Sequence, residues 1–287
     1  MIRPFVPSRP GDAVIGWIFL VVLAAACRTT RHPASVTSTS DTTLRAPDGS
    51  LPGDDPLGRS IRRGRAIMAA TRDSIPAHVG NTLRCFSCHL GVGTESGALP
   101  LTGVYARFPQ YRSRSARIEV IEDRINECFE RSMNGTPLTL DDPSMHDIVA
   151  FLAFESRGMA VAPPGTTQLP AVAVADTAAG ARLYGIRCAR CHAPDGRGNA
   201  IYPPLWGMQS FNIGAGMARL STAAAFIRHN MPRDSAGILT DQEAANVAAY
   251  VVSRPRPDFP GKERDWPRGG APADNPYPTL GGHGSRQ

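Results

Sequence analysis

Sustained strand patterns are missing from this sequence. No run combines period-two alternation with a wealth of Val, Ile, Thr and aromatics, which excludes an architecture built mainly of sheet, and helix-period segments recur instead. Lysine is nearly absent: Lys262 is the only one among 31 basic residues. Arginine therefore carries almost all the charge behind the net +6. It is scattered without a basic cluster or a recognised module, which argues against a nucleic-acid partner. The N-terminal apolar core, Val14 to Leu23, is too short and wrongly flanked for a good membrane-spanning helix. What is present is length for two domains of ordinary size in 287 residues, with 28 glycines and 26 prolines that signal long loops and turns. An all-α fold with long connecting loops is expected.

The first 27 residues read as an export signal, with basic Arg3 and Arg9, the apolar core, and Ala24, Ala25 and Ala26 before Cys27. A small-residue cluster ending in cysteine resembles a bacterial lipoprotein cleavage site, at which Cys27 would become the lipidated first residue of the mature protein. Simple cleavage and an uncleaved anchor are the alternatives. All three put the folded part outside the cytoplasm, in the periplasm or cell envelope. Residues 28–57, polar and rich in Ser, Thr, Pro and Gly, read as a disordered tether.

Two short segments match each other. RCFSCHL carries Cys85, Cys88 and His89, and RCARCHA carries Cys188, Cys191 and His192. CxxCH is the attachment pattern for c-type haem: the two thiols form thioethers with the porphyrin, and the adjacent histidine is held beneath the iron as proximal ligand. Two covalently bound haems c are the cofactors this implies. Zinc is excluded because neither motif has a second ligand pair at a suitable spacing, and two histidines in register argue against simple CxxC disulfides.

The repeat extends past the motifs. From His89 to Cys128 is 39 positions, and from His192 to Met231 is also 39. An amphipathic helix follows each: one starts at Asp142 and Pro143, the other at the Thr240/Glu243 capping box. Further helices precede the motifs, around IRRGRAIMAAT and TAAGARLYG. This order is similar to the class I cytochrome c fold, in which the first and last helices cross beside the haem and a small residue such as Gly180 lets them approach near an aromatic such as Tyr250. Two such domains are expected at 58–156 and 177–253, joined by a Pro-rich linker at 157–176. A C-terminal tail, 254–287, offers Trp266, Tyr277 and Pro278 as anchors across both domains.

The distal iron ligands are read from the same spacing. In FIRHNMPRD a methionine precedes proline, as in the usual cytochrome c layout, and Met231 is favoured over His229, Met208 and Met217; a His192/Met231 haem has a comparatively high potential. The position equivalent to Met231 in the first copy is Cys128, with Met133 as its rival and an inert buried thiol as the bland reading. Thiolate ligation with His89 would lower the potential of that haem, and a thiolate able to leave iron is itself a nucleophile.

FPQYRSRS at 108–115, the RINECFERSMNG run at 124–135, the two CxxCH units, FIRHNMP and the ERDWPRGGAPADNPYP tail together resemble the dihaem thiosulfate dehydrogenase family, over roughly residues 58–280. The resemblance implies oxidation of two thiosulfates to tetrathionate at the His/Cys haem, with electrons leaving through the His/Met haem to an external acceptor, a soluble cytochrome c. Position by position, it puts Arg114, Arg124 and Ser132 where the family binds anions around the ligating cysteine, Cys128. Guanidinium groups suit that task because two dianions must be brought together. If the segment is helical, Arg124, Cys128 and Ser132 share one face at i, i+4 and i+8. One departure is Asn230, which stands where some relatives carry an exchangeable lysine ligand, so stable His/Met ligation is expected. A dihaem electron carrier without catalysis and a Sox-type cytochrome subunit are the competing readings.

Overall fold

The structure is a computed structural model that describes residues 53–158 and 174–281. The export signal, Cys27, nearly all of the tether and most of the linker lie outside the described residues.

In the first half, Asp55 caps helix α1 (Pro56–Ala69) by accepting from the Gly58 N–H at 3.0 Å, and Pro56 occupies the first position, where its missing donor costs nothing. One short turn of helix, α2 (Thr71–Ser74), leads into a long loop that carries the first CxxCH. A small antiparallel hairpin follows, β1 (Gln110–Arg112) with β2 (Arg117–Glu119), in which Tyr111 pairs with Ile118. These two strands are the one departure from helix and loop among the described residues, since three-residue strands are too short to register as a period in sequence. Helices α3 (Ile121–Arg131) and α4 (Pro143–Glu155) complete this half, with Asp142 capping α4 as expected by accepting from Ser144 at 2.7 Å.

The second half repeats the plan with α5 (Thr177–Arg187), α6 (Ala189–His192), α7 (Leu220–Asn230) and α8 (Asp241–Val252). The capping box at the start of α8 forms in both directions, Glu243 N–H to Thr240 Oγ1 at 3.2 Å and Thr240 N–H to Glu243 Oε2 at 2.8 Å.

Each half is closed by a crossing of its first and last long helices. At Gly180 a Cβ would stand 1.9 Å from the Asn246 carbonyl oxygen and 3.1 Å from the Tyr250 Cβ. The matching site in the first half is Gly64, whose Cβ would stand 1.9 Å from the Asp147 carbonyl oxygen and 3.0 Å from the Phe151 Cβ. Glycine is therefore a steric requirement at both crossings: backbone meets backbone with no room for a methyl group.

The halves meet where the 209–214 segment covers the end of α3. The last carbonyls of a helix have no partners within it. Here Asn212 supplies them from the other half, its N–H donating to Arg131 O at 3.1 Å and its Nδ2 to Glu130 O at 2.8 Å. Fully buried Asn81 donates to both Ser132 O and Ser210 O, at 2.9 and 3.1 Å. Leu83 packs with Phe211, Ala215 and Ala218 beside this seam. Further along, Arg233 forks onto Glu95 and Asn230 Nδ2 donates to Gly97 O.

The tail after α8 runs back across both halves. Trp266 and Tyr277 are buried with Ala271 against Ile213, so two of the three expected anchors hold it; Pro278 is exposed and anchors nothing.

Gly64→Ala and Gly180→Ala will each lower the unfolding midpoint of the holoprotein, because overpacking such a crossing costs about 1–3 kcal/mol. Gly185→Ala on α5, where an added Cβ meets nothing within 4 Å, will leave the midpoint unchanged or raise it through better helix propensity. Thermal melts followed by circular dichroism decide this, and equal effects at Gly180 and Gly185 would contradict the close-crossing account.

Candidate functional site

Helix α3 carries the lone cysteine. Glu122 and Asp123 in its first turn suit the positive end of the helix dipole, and Asp123 Oδ2 accepts from the Val120 N–H at 3.0 Å. One turn further on, Arg124 Nη1 donates to Cys128 Sγ at 3.0 Å. Attraction to Cys128 is the main cause that raises the Arg124 pKa, with Glu127 adding to it. Ser132 is the C-cap and keeps right-handed helical angles, so the three residues hold the i, i+4, i+8 register.

Cys128 shares space with the first CxxCH. Burial, with the nearby Cys128 contributing, pushes the Cys85 and Cys88 thiols up to about 12. His89 lies in the same site: burial lowers its imidazole to about 4, and the Arg124 charge acts in the same direction. Its Nδ1 faces the Leu99 carbonyl within hydrogen-bond distance. A carbonyl can only accept, so Nδ1 carries the proton and Nε2 keeps its lone pair for a metal. Met133, the rival ligand, is 3% exposed and packs in the core with Phe129 and Ile125.

Of the two predicted anion-binding arginines, Arg124 contacts the thiol and Arg114 does not. The Arg114 Nη1 donates to Gly214 O at 2.8 Å, its guanidinium lies 4.6 Å from the Trp266 ring centre, and its Nε is 4.0 Å from Asp265. It lines a polar cavity with Arg112, Arg219 and Trp266, to which the cysteine helix contributes no residue.

The second CxxCH opens on a large, mainly apolar cavity lined by Cys188, Cys191, His192 and Met231. His192 repeats the arrangement of His89, with Nδ1 2.9 Å from the Pro203 carbonyl and a pKa lowered by burial. Met217 also lines this cavity, whereas His229 and Met208 are exposed and outside it. Ser87 and Cys88 of the first motif line the same cavity, so the two motifs share a wall.

These donor sets fit haem c. Each offers two unpaired thiols at CxxC spacing and a neutral imidazole oriented by a backbone carbonyl, and the second adds a thioether on an apolar wall. Cys85, Cys88 and His89 would hold one haem, and Cys188, Cys191 and His192 the other.

Several residues around the site were not found in sequence. Glu127 lies 3.5 Å from Arg124, 3.9 Å from Arg112 and 4.0 Å from Arg131. Buried Arg131 forks onto Asp265 through two contacts of 2.7 Å, and Tyr277 donates to the same carboxylate at 2.6 Å. Arg131 follows Cys128 by three residues on the same helix, which is a usable signal; nothing local marks Asp265, 134 positions away.

Residues 78–161 match the family described as SoxA/TsdA, cytochrome c domain, and residues 175–251 match cytochrome c oxidase, cbb3-type, subunit III. A thiosulfate dehydrogenase of Allochromatium vinosum is 42% identical over 85% of this chain and 92% of its own length. One from Psychrobacter arcticus is 40% identical over 83% and 76%. Among solved structures, the thiosulfate dehydrogenase TsdBA of Marichromatium purpuratum superposes with a TM-score of 0.69 at 34% identity, covering 75% of this chain, which spans 50% of that one. With both haem-binding halves present and this similarity running through the cysteine helix, the chain belongs to the thiosulfate dehydrogenase family of dihaem cytochromes c.

Proposed function

We propose that this protein oxidises two thiosulfates to one tetrathionate at Cys128. The observation that carries this reading is the Arg124–Cys128 contact of 3.0 Å beside the first CxxCH. A guanidinium at that distance offsets negative charge on the cysteine sulfur and on an arriving sulfonate alike. The family relatives of matching length support the substrate.

The chemistry follows from the residues. Cys128 sulfur bonds to the sulfane sulfur of one thiosulfate, forming Cys–S–S–SO₃⁻ with loss of two electrons. The sulfane sulfur of a second thiosulfate then attacks the sulfane sulfur of that adduct. The S–S bond to cysteine breaks, tetrathionate leaves, and Cys128 returns as thiolate. Arg124 holds sulfonate oxygens next to the thiol, Ser132 offers a hydroxyl on the same helix face, and Arg114 stands at the neighbouring cavity to offset the charge of the incoming dianion. The haems, when bound, supply one-electron acceptors for the two electrons released.

Cys128 is the ligand and nucleophile in this reading, since Met133 is committed to the core. Met231 is the distal ligand in the second half, since His229 faces away from that cavity. Export to the periplasm, a lipid anchor at Cys27 and a soluble cytochrome c as acceptor complete the proposal, supported by the signal and tether composition.

Cys128→Ala will keep both covalent haems and lose thiosulfate-dependent acceptor reduction by about a thousandfold or more, as expected for removal of a nucleophile. Tetrathionate formed per electron delivered, measured on purified holoprotein, tests the reaction: one tetrathionate per two electrons is expected, and full turnover by the alanine variant would overturn the scheme. At the second haem, the Asn230 amide is already engaged by Gly97 O and Phe226 O at 2.8 and 2.9 Å. The ligand-field spectrum of that haem should therefore report the same ligand pair in the oxidised protein and after a full reduction–oxidation cycle; a redox-dependent ligand change contradicts this.

A further inference from the structure

Arg256 stands between two prolines in the run RPRPDFP that follows α8. A proline fixes its own backbone and keeps the residue before it extended, so the helix ends ahead of this run. Both flanking carbonyls are taken: Pro255 O accepts from the Gly207 N–H at 2.8 Å, and Pro257 O from the Ile213 N–H at 3.0 Å. The chain on either side of Arg256 is therefore pinned to the 207–213 segment.

Its side chain runs behind the wall of the second CxxCH cavity. The guanidinium lies 4.4 Å from the Phe211 ring centre, and Nη2 donates to Val251 O at 2.8 Å. Phe211 and Val251 both line the cavity and Arg256 does not, so its charge sits one layer behind the surface that faces the haem site. Capping α8 does not explain it, because Val251 O already accepts from the Arg254 N–H at 3.3 Å.

The charge at this place has no counterpart. Nε and Nη1 are closed off from solvent and have no hydrogen-bond partner, and no carboxylate pairs with Arg256 among the described residues. Arg131 gives the contrast: it also lies against a ring, that of Phe259, but Asp265 offsets its charge through two contacts of 2.7 Å. Burial alone pushes the Arg256 pKa down to about 10, which still leaves the group protonated at neutral pH. A buried cation without an anion costs stability, and a methionine stem would fill the space against Phe211 without that cost. The charge acts at a distance instead. At an effective dielectric of about 20 a Coulomb interaction is several times stronger than in water, and a group shut off from solvent is little screened by salt. Reducing a ferric haem adds one negative charge, which a fixed cation nearby favours.

We propose that Arg256 sets the potential of the second haem: its uncompensated charge behind Phe211 and Val251 stabilises the ferrous state and so draws single electrons from the first haem. In each transfer the first iron goes from ferrous to ferric and the second from ferric to ferrous. This rests on a haem held by Cys188, Cys191 and His192, and not on the reaction proposed at Cys128.

A potentiometric titration of purified holoprotein, followed optically at each haem, tests it at about pH 6, where a lysine at this site keeps its proton. Arg256→Gln should lower the ferrous-to-ferric ratio of the second haem at a fixed electrode potential about tenfold, a shift of about 59 mV for one electron, with a smaller change at the first haem. Arg256→Met, which keeps an apolar stem against Phe211, should shift it the same way and carries the test should the glutamine variant lose haem. Arg256→Lys should stay near the wild-type potential, which a purely structural role would not require. An unchanged or raised potential in the neutral variants, equal shifts at both haems, or a lysine variant as low as the neutral ones each overturns the assignment. The expected shifts in a protein that does not oxidise thiosulfate would leave the role of Arg256 standing and remove the proposed reaction instead.

Discussion

The buried pair between Arg131 and Asp265 is the interaction on which the geometry around Cys128 depends. Its two contacts of 2.7 Å join the last turn of the cysteine helix to the C-terminal tail, with Tyr277 donating to the carboxylate and the Arg131 guanidinium 4.2 Å from the Phe259 ring centre. Breaking such a pair by removing one member leaves an uncompensated buried charge, a penalty of about 3–5 kcal/mol, so the tail cannot leave cheaply. Holding the tail in place puts Asp265 beside Arg114 and Trp266 under its guanidinium. One buried carboxylate thus pairs with Arg131 and also stands against a second arginine, Arg114.

Around the same helix, the two halves of the molecule complete each other. The carbonyls at the end of α3 are satisfied by Asn212 from the second half, and the wall of the second cavity is built partly from Ser87 and Cys88 of the first motif. Polar groups buried at a seam must be paired, so the halves hold a fixed relation instead of sliding over one another. For a pair of electron carriers, that fixed relation places both CxxCH motifs at one shared wall. Asn230 serves the same seam by donating its amide to Gly97 O, while Met231, next in the chain, lines the cavity.

Local chemistry in the sequence accounts for much of this. Both CxxCH motifs, the caps at Asp142 and Thr240 and the helical face shared by Arg124, Cys128 and Ser132 depend on residues a few positions apart, or on a repeat spacing of 39 that anyone can count. Gly64 was readable in principle as the counterpart of Gly180, but thirteen extra residues between it and the first motif hide the match. The three-residue strands of the hairpin fall below any periodic signal, and Pro278 carries no information about whether its ring is covered.

What the sequence by itself determined is the local set of groups: two CxxCH motifs, a lone cysteine 39 positions after the first motif's histidine, and helices with their caps, because each is read from residue type and short or counted spacing. What only the tertiary structure decided is which distant charges meet. Asp265 reaches Arg131 across 134 positions, Arg219 arrives at the hairpin arginines without an acidic partner, and His229 turns away from the cavity that Met231 lines. Such choices follow from the packing of elements far apart in the chain, and a charge carries no local mark of the partner it will find.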